Sequence, residues 1–241
     1  MSRIDGRRPE QLRPVEIIPD VNRFAEGSCL IRCGNTHVFC TASVEERTPP
    51  HVPEGTGWVT AEYSMLPRAN RERSRRDISK LKLSPRSAEI QRLIGRSLRA
   101  AVDLEALGER SITVDCDVLQ GDGGTRTASV TGGFVALALA CRKLVAEGVL
   151  DRDPIRGQVA AVSAGIVEDQ ALLDLCYEED SSAQVDLNCV MDGEGRIIEL
   201  QGTGEGRPFT IEEQRRLVDL CAQGVASLQA MQREVLGGRK K

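Results

Sequence analysis

The stretch from Ser111 to Glu147 constrains this chain more than any other. Ile112, Val114, Cys116 and Val118 alternate with Thr113, Asp115 and Asp117, the period of a half-buried strand. Gln120 to Arg126 follows with three glycines, and an apolar helix is expected from about Thr127 to Glu147. A strand, a glycine turn and a helix start expose backbone N–H groups at the positive end of a helix, where a phosphate binds readily. The turn lacks the Gly-Lys-Ser/Thr ending of a P-loop, and its glycine spacing is not that of a dinucleotide fingerprint. Glycines alone are equally compatible with a plain tight turn. Thr125 and Arg126 add a hydroxyl and a guanidinium at the place where a phosphate would sit.

The remaining patterns surround this unit with strands and helices. Ser28 to Arg32 and His37 to Glu45 read as strands joined at Gly34-Asn35, a hairpin signal, and Trp58 to Leu66 reads as a third strand. From Pro85 the period becomes helical, with Ser84 as N-cap and Ile90, Leu93, Ile94, Leu98, Ala101 and Val102 on one stripe. Later come extended segments near 157–167, 171–176, 183–191 and 197–201. A last helix starts at the capping box Thr210-Ile211-Glu212-Glu213 and continues to Gly237-Gly238, with Arg239-Lys240-Lys241 as a frayed tail. Strands followed by a helix in each half imply an α+β fold built by duplication, with halves at 10–148 and 155–236 of a single unit, although no residue-level repeat is visible.

The 241 residues, 40% of them hydrophobic, are enough to bury a sizeable core. The longest apolar run, Phe134 to Cys141, is too short to cross a bilayer, so a soluble cytoplasmic protein with no membrane partner is expected. Eight cysteines are scattered singly through apolar runs and read as reduced core thiols. Cys29, Cys33 and His37, four apart, would share one face of a continuous extended chain, but the paired spacing of a structural zinc site is missing.

Charge is distributed unevenly along the chain. Between Leu66 and Arg99 stand eleven basic residues, Arg68, Arg71, Arg73, Arg75, Arg76, Lys80, Lys82, Arg86, Arg92, Arg96 and Arg99, against Glu72, Asp77 and Glu89. Between Glu168 and Glu199 ten acids face Arg196 alone. The first block suits a polyanion and the second a cation; two solvated faces that meet across a subunit contact would look the same. Arg86 lies in the first turn of its helix, where the dipole disfavours a cation by about 0.3–1 kcal/mol and a bound anion would remove the conflict. In the acidic block, Val185, Leu187, Cys189 and Met191 are expected to face the core, leaving Asp186 and Asn188 on the opposite, polar face. With Asp180 on the preceding bend, two carboxylates could meet at one hard cation such as Mg2+.

Long consecutive stretches carry a resemblance. They are Asp5-Gly6-Arg7 with Arg13-Pro14-Val15, Gly57 through Pro67, Arg86 through Arg96, the glycine turn, and Tyr177 through Met191. Together they resemble the ribonuclease PH family along nearly the whole chain. The resemblance implies the duplicated ribosomal protein S5 domain 2-like fold, with mixed sheets and packed helices. It also implies a homo-hexamer built as a trimer of dimers. The implied activity is phosphorolysis of RNA 3′ ends, tRNA precursors above all, with inorganic phosphate as co-substrate. In the family's pattern the phosphate is held at positions matching Arg86, Gly124, Thr125 and Arg126, the metal, Mg2+ or Mn2+, at those matching Asp180 and Asp186, and the arginines from Arg68 to Arg76 help grip RNA. Arg92, Arg96 and Arg99 extend that basic surface. Cys176 stands where some family members carry a polar residue. The non-enzyme alternative is a catalytically silent ring subunit that binds RNA.

Overall fold

The computed structural model describes residues 3–76 and 84–237. In the first half the alternating apolar positions fold into a five-stranded sheet. Its strands are β1 (Val15–Pro19), β2 (Gly27–Cys33), β3 (Thr36–Glu45), β4 (Trp58–Met65) and, beyond the helices α1 (Pro85–Arg99) and α2 (Leu104–Leu107), β5 (Ser111–Gln120). They lie in the order β1-β2-β3-β5-β4; β4 runs parallel to β5 and the other pairs are antiparallel. Parallel neighbours need a crossover, and α1 supplies it. The hairpin forms where expected: Cys33 pairs with Thr36 across Gly34-Asn35, and Gly34 takes φ 55°.

That hairpin removes the Cys29, Cys33 and His37 alignment. The chain reverses before His37, which lies on β3 between the buried Thr36 and Val38 and so faces outward, while Cys29 and Cys33 face the core. All eight cysteines are free and buried.

The long helix α3 (Thr125–Ala146) begins two residues before the expected start, because Gly124 in the left-handed region forms its cap. It is buried on nearly every side. Its length and apolarity would also suit a membrane span, but the apolar window is 83% buried inside the protein. The burial follows from its position between two sheets, since it packs on β2 and β3 and also on β6 (Val159–Val167) of the second half.

The second sheet has the order β7-β6-β8-β9, all antiparallel, with β7 (Gln170–Leu173), β8 (Val185–Asp192) and β9 (Ile197–Thr203). The strand expected to reach Cys176 stops at Leu173, where Asp174 takes φ 54° and turns the chain into the short helix α4 (Tyr177–Asp180). The final helix, α5 (Ile211–Gly237), covers the far face of this sheet through Leu217, Cys221, Val225 and Leu228. Both faces are therefore covered over part of the sheet. This corrects the expected polar face of β8: Asp186 is half-buried, but Asn188 and Val190 are buried, and Val190 joins the first core with Val159 and Ala161.

Side-chain caps close the starts of α1 and α5. Ser84 Oγ accepts from the Ser87 amide at 3.0 Å. Thr210 and Glu213 exchange hydrogen bonds of 2.7 and 3.1 Å as a capping box. Asp77, Lys80 and Lys82 of the basic block, and the tail Arg239-Lys240-Lys241, lie outside the described residues.

Candidate active site

The glycine turn, the starts of α1 and α3, the basic loop after β4 and the short helix α4 meet around a cleft of about 870 Å³. It is lined by Arg71, Arg73, Arg86, Gly121 to Thr125, Tyr177 and Asp180, among others. The turn owes its shape to glycine, since Gly123 and Gly124 take φ 73° and 63°, values that L side chains adopt only under strain. Gly124 offers no side-chain cap, and the first turn of α3 contains no acid. The leading N–H groups of a 22-residue helix therefore have neither a capping side chain nor an acid in their own turn, a condition that favours a bound anion. The first turn of α1 also lacks an acid and carries Arg86, which lines the same cleft.

The turn is held from behind. Thr36 Oγ1 accepts from the Asp122 amide at 2.9 Å and donates to the Gly123 carbonyl at 2.6 Å, and Arg13 Nη1 donates to the Asp122 carbonyl. Asp122 Oδ1 accepts from the Tyr177 amide at 3.1 Å, tying α4 to the turn. The Thr125 hydroxyl lies 2.9 Å from that of the buried Tyr63. Arg126 points to the side: Nη1 donates to Glu89 Oε1 at 3.1 Å and to Gln201 Oε1 at 2.8 Å. Gln201 Nε2 also donates to Glu89 Oε1, at 3.3 Å, so α1, α3 and β9 are joined at this guanidinium.

The two carboxylates expected to work together do lie close enough to repel. Burial raises Asp186, the Asp180 charge adds to this, and the pKa is pushed up to about 6. Asp180 is also raised by burial, offset by Arg86, Arg126 and Arg13. Asn188 Nδ2 donates to Asp186 Oδ2 at 3.0 Å, while Asp186 Oδ1 is buried and has no hydrogen-bond partner. An orphaned buried oxygen beside a second carboxylate fits a hard cation that keeps part of its coordination for water or phosphate oxygens. Among the described residues no group of three or more His, Cys, Asp or Glu side chains converges into a closed cage.

A buried ionic strap from the N-terminus fastens these parts and has no counterpart in the sequence expectations. Arg3 Nε and Nη2 clasp Glu179 at 2.8 and 2.6 Å, one residue before Asp180. Arg13 binds the Asp174 carboxylate through its amide, Nε and Nη2 at 2.8, 3.1 and 2.7 Å. Arg7 lies between them, 3.7 Å from Asp174 and 3.5 Å from Glu179. Only the fold shows that these three arginines are buried. Tyr63, Glu89 and Gln201 were likewise not anticipated, because no local pattern places them beside the turn.

The basic residues divide into two groups. Arg71 and Arg73 line the cleft, with Arg71 donating to Glu178 at 2.9 Å, and Arg68 bracing its own loop through the Arg71 carbonyl. Arg76 lies near enough to Asp117 to lower its pKa against the effect of burial. Arg96 pairs with Glu199 at 2.9 Å, and Arg99 donates to the Val59 carbonyl with its guanidinium 4.3 Å above the Trp58 ring. Neither of these two, nor the exposed Arg92, lines the cleft.

Residues 11–143 match the model of the 3′ exoribonuclease family, domain 1 (RNase PH), and residues 157–223 match domain 2. A protein named Ribonuclease PH from Moorella thermoacetica is 53% identical over 238 residues, spanning 98% of this chain and 95% of that protein. A solved archaeal exosome core superposes with a TM-score of 0.76 at 26% identity, covering 98% of this chain and 91% of the other. An Archaeoglobus fulgidus exosome with RNA bound to the active site gives 0.78 at 26% identity, over 95% and 92%. The crystal structure of rice (Oryza sativa) Rrp46 matches at 0.79 over 97% and 100%; at 18% identity it speaks for the fold alone.

Proposed function

The chain belongs to the RNase PH family of 3′ exoribonucleases, and on that footing we propose that it trims the 3′ ends of tRNA precursors and other structured RNA with inorganic phosphate as the attacking group. The observation that supports this reading best is that one cleft is lined by the glycine turn at the start of α3, Arg86 and Asp180, with Asp186 close enough to Asp180 to feel its charge.

The uncapped N–H groups behind Gly124, with Thr125, Arg86 and Arg126, hold the attacking phosphate and orient one of its oxygens toward the terminal phosphodiester. A bond forms from that oxygen to phosphorus and the bond to the 3′ oxygen of the preceding nucleotide breaks. The phosphate's own proton passes to the departing oxygen, so no strong base is required. The products are a nucleoside 5′-diphosphate and an RNA one nucleotide shorter. In reverse, diphosphates extend a 3′ end. Asp180 and Asp186 would hold Mg2+ or Mn2+, which when bound offsets the negative charge gathered at the phosphodiester. Arg71 and Arg73 grip the backbone without reading sequence. The reading includes a cytoplasmic ring of three dimers.

The test is incubation of the protein with a 3′-extended tRNA transcript and Mg2+, with and without inorganic phosphate, followed by identification of the released nucleotide. Diphosphates that appear only with phosphate are the expected result. Monophosphates in both arms would make it a hydrolase, and binding without release would make it a silent ring subunit.

A further inference from the structure

Seven aromatic residues occur in the whole chain, and most are occupied. Phe134 is core, Tyr63 is buried with its hydroxyl at Thr125, and Trp58 packs between Arg99 and His51. Phe24, exposed, has Arg23 over its ring. Tyr177 differs. The residue is 54% exposed, and among the described residues it is the one aromatic ring that lines the candidate cleft.

The position of this ring is fixed by its surroundings. The Tyr177 amide donates to Asp122 in the phosphate-binding turn. Gly123 approaches so closely that a Cβ there would stand 3.0 Å from the Tyr177 nitrogen. Tyr177 and Asp180 are three residues apart on one helical turn, so they project from the same face, and both line the cleft. On the other side Arg71 reaches over to Glu178. An exposed ring thus lies between the phosphate turn, a carboxylate and the basic loop, where a solvated aromatic gains nothing from burial in the core.

We propose that Tyr177 is the platform on which the base of the RNA's 3′-terminal nucleotide stacks, seating the last phosphodiester between the phosphate turn and the carboxylates. The inference rests on the phosphorolytic reading and adds the group that holds the terminal base. Stacking suits an enzyme that removes successive nucleotides of every kind, because every base presents a π face.

The experiment compares the full-length protein with Tyr177→Ala and Tyr177→Phe on two RNAs, one ordinary and one abasic at its 3′ end. The alanine variant should raise the KM for ordinary RNA by roughly tenfold or more while leaving the KM for phosphate unchanged, with the phenylalanine variant close to the parent. On the abasic RNA, parent and alanine variant should be equal. An equal penalty on both RNAs would mean that Tyr177 merely supports α4, and no penalty on ordinary RNA would remove it from the site; either overturns the proposal. A 2-aminopurine base at the RNA 3′ end, read without phosphate, separates the two readings. Quenching by the parent and the phenylalanine variant but not by the alanine variant supports stacking even if no diphosphate is ever released. Phosphorolysis with equal quenching by all three retains the function and rejects the stack.

Discussion

The Arg126 guanidinium is fixed by Glu89 and Gln201 and keeps donors to spare, so under the proposed phosphorolytic reading it would lose little freedom on meeting phosphate. Arg126→Ala should lower phosphorolysis by about two to three orders of magnitude and leave RNA binding in a filter assay largely intact. Equal loss of both would end that division of labour. Asp186 makes a second prediction, of opposite kind. A carboxyl whose pKa rises from 3.8 to about 6 on folding holds its proton more tightly in the native state, so native stability falls as pH climbs through that window. With divalent cations chelated, Asp186→Asn should therefore melt above the parent at pH 7.5, by roughly 2–4 °C for each kcal/mol of repulsion removed, and the gap should close below pH 4. Catalysis should be lost at every pH. A variant that melts lower at pH 7.5 would show that the charge is compensated by a group other than a metal.

At the scale of elements, the N-terminal strap decides whether the turn and α4 stay aligned. Arg13→Ala leaves Asp174 buried with, among the described residues, Arg7 as its one remaining cationic partner at 3.7 Å, and should cost about 3–5 kcal/mol in chemical denaturation, toward the low end because of that neighbour. Burial works against the ionised forms of Asp174 and Glu179, yet the arginines hold both below the usual carboxylate range. The stability they contribute is thus present above about pH 4 and lost as the pH falls further, the reverse of Asp186. Thr210→Ala tests a cap remote from the cleft: about 1 kcal/mol of stability with turnover unchanged. These cases show where the sequence was legible. Periodicity revealed β5, α1 and α5 because each buries one face, and glycine spacing revealed the turn because only glycine takes those angles freely. It failed for β1, five residues with little alternation, and for α4, a single turn. It failed most at Arg3, Arg7 and Arg13, since an arginine reads as surface until a fold brings two carboxylates into its path. Of the candidate site, the residues expected for phosphate stand in two local patterns, the start of α1 and the glycine turn, and those expected for a metal in one, whereas Glu89, Gln201 and Tyr63 arrive from three separate elements.

At the scale of the molecule, the basic surface is less uniform than a count of arginines suggests, and salt dependence can resolve it. Each phosphate contact that releases counterions contributes a slope of about 0.7 to the plot of log affinity against log salt for single strands. Arg73 lines the cleft, and the described residues show no carboxylate paired with it. Arg96 is committed to Glu199 and Arg99 to Val59 and Trp58, contacts that fasten α1 to both halves of the fold. Arg73→Ala should therefore weaken RNA binding and flatten the slope by close to one contact. Arg96→Ala should leave the slope unchanged and act through stability, by about 0–1 kcal/mol for an exposed pair. The decisive result is the comparison of slopes in one titration series with the parent protein. If Arg96→Ala flattened the slope as much as Arg73→Ala, the RNA path would have to run along the outer face of α1, away from the cleft.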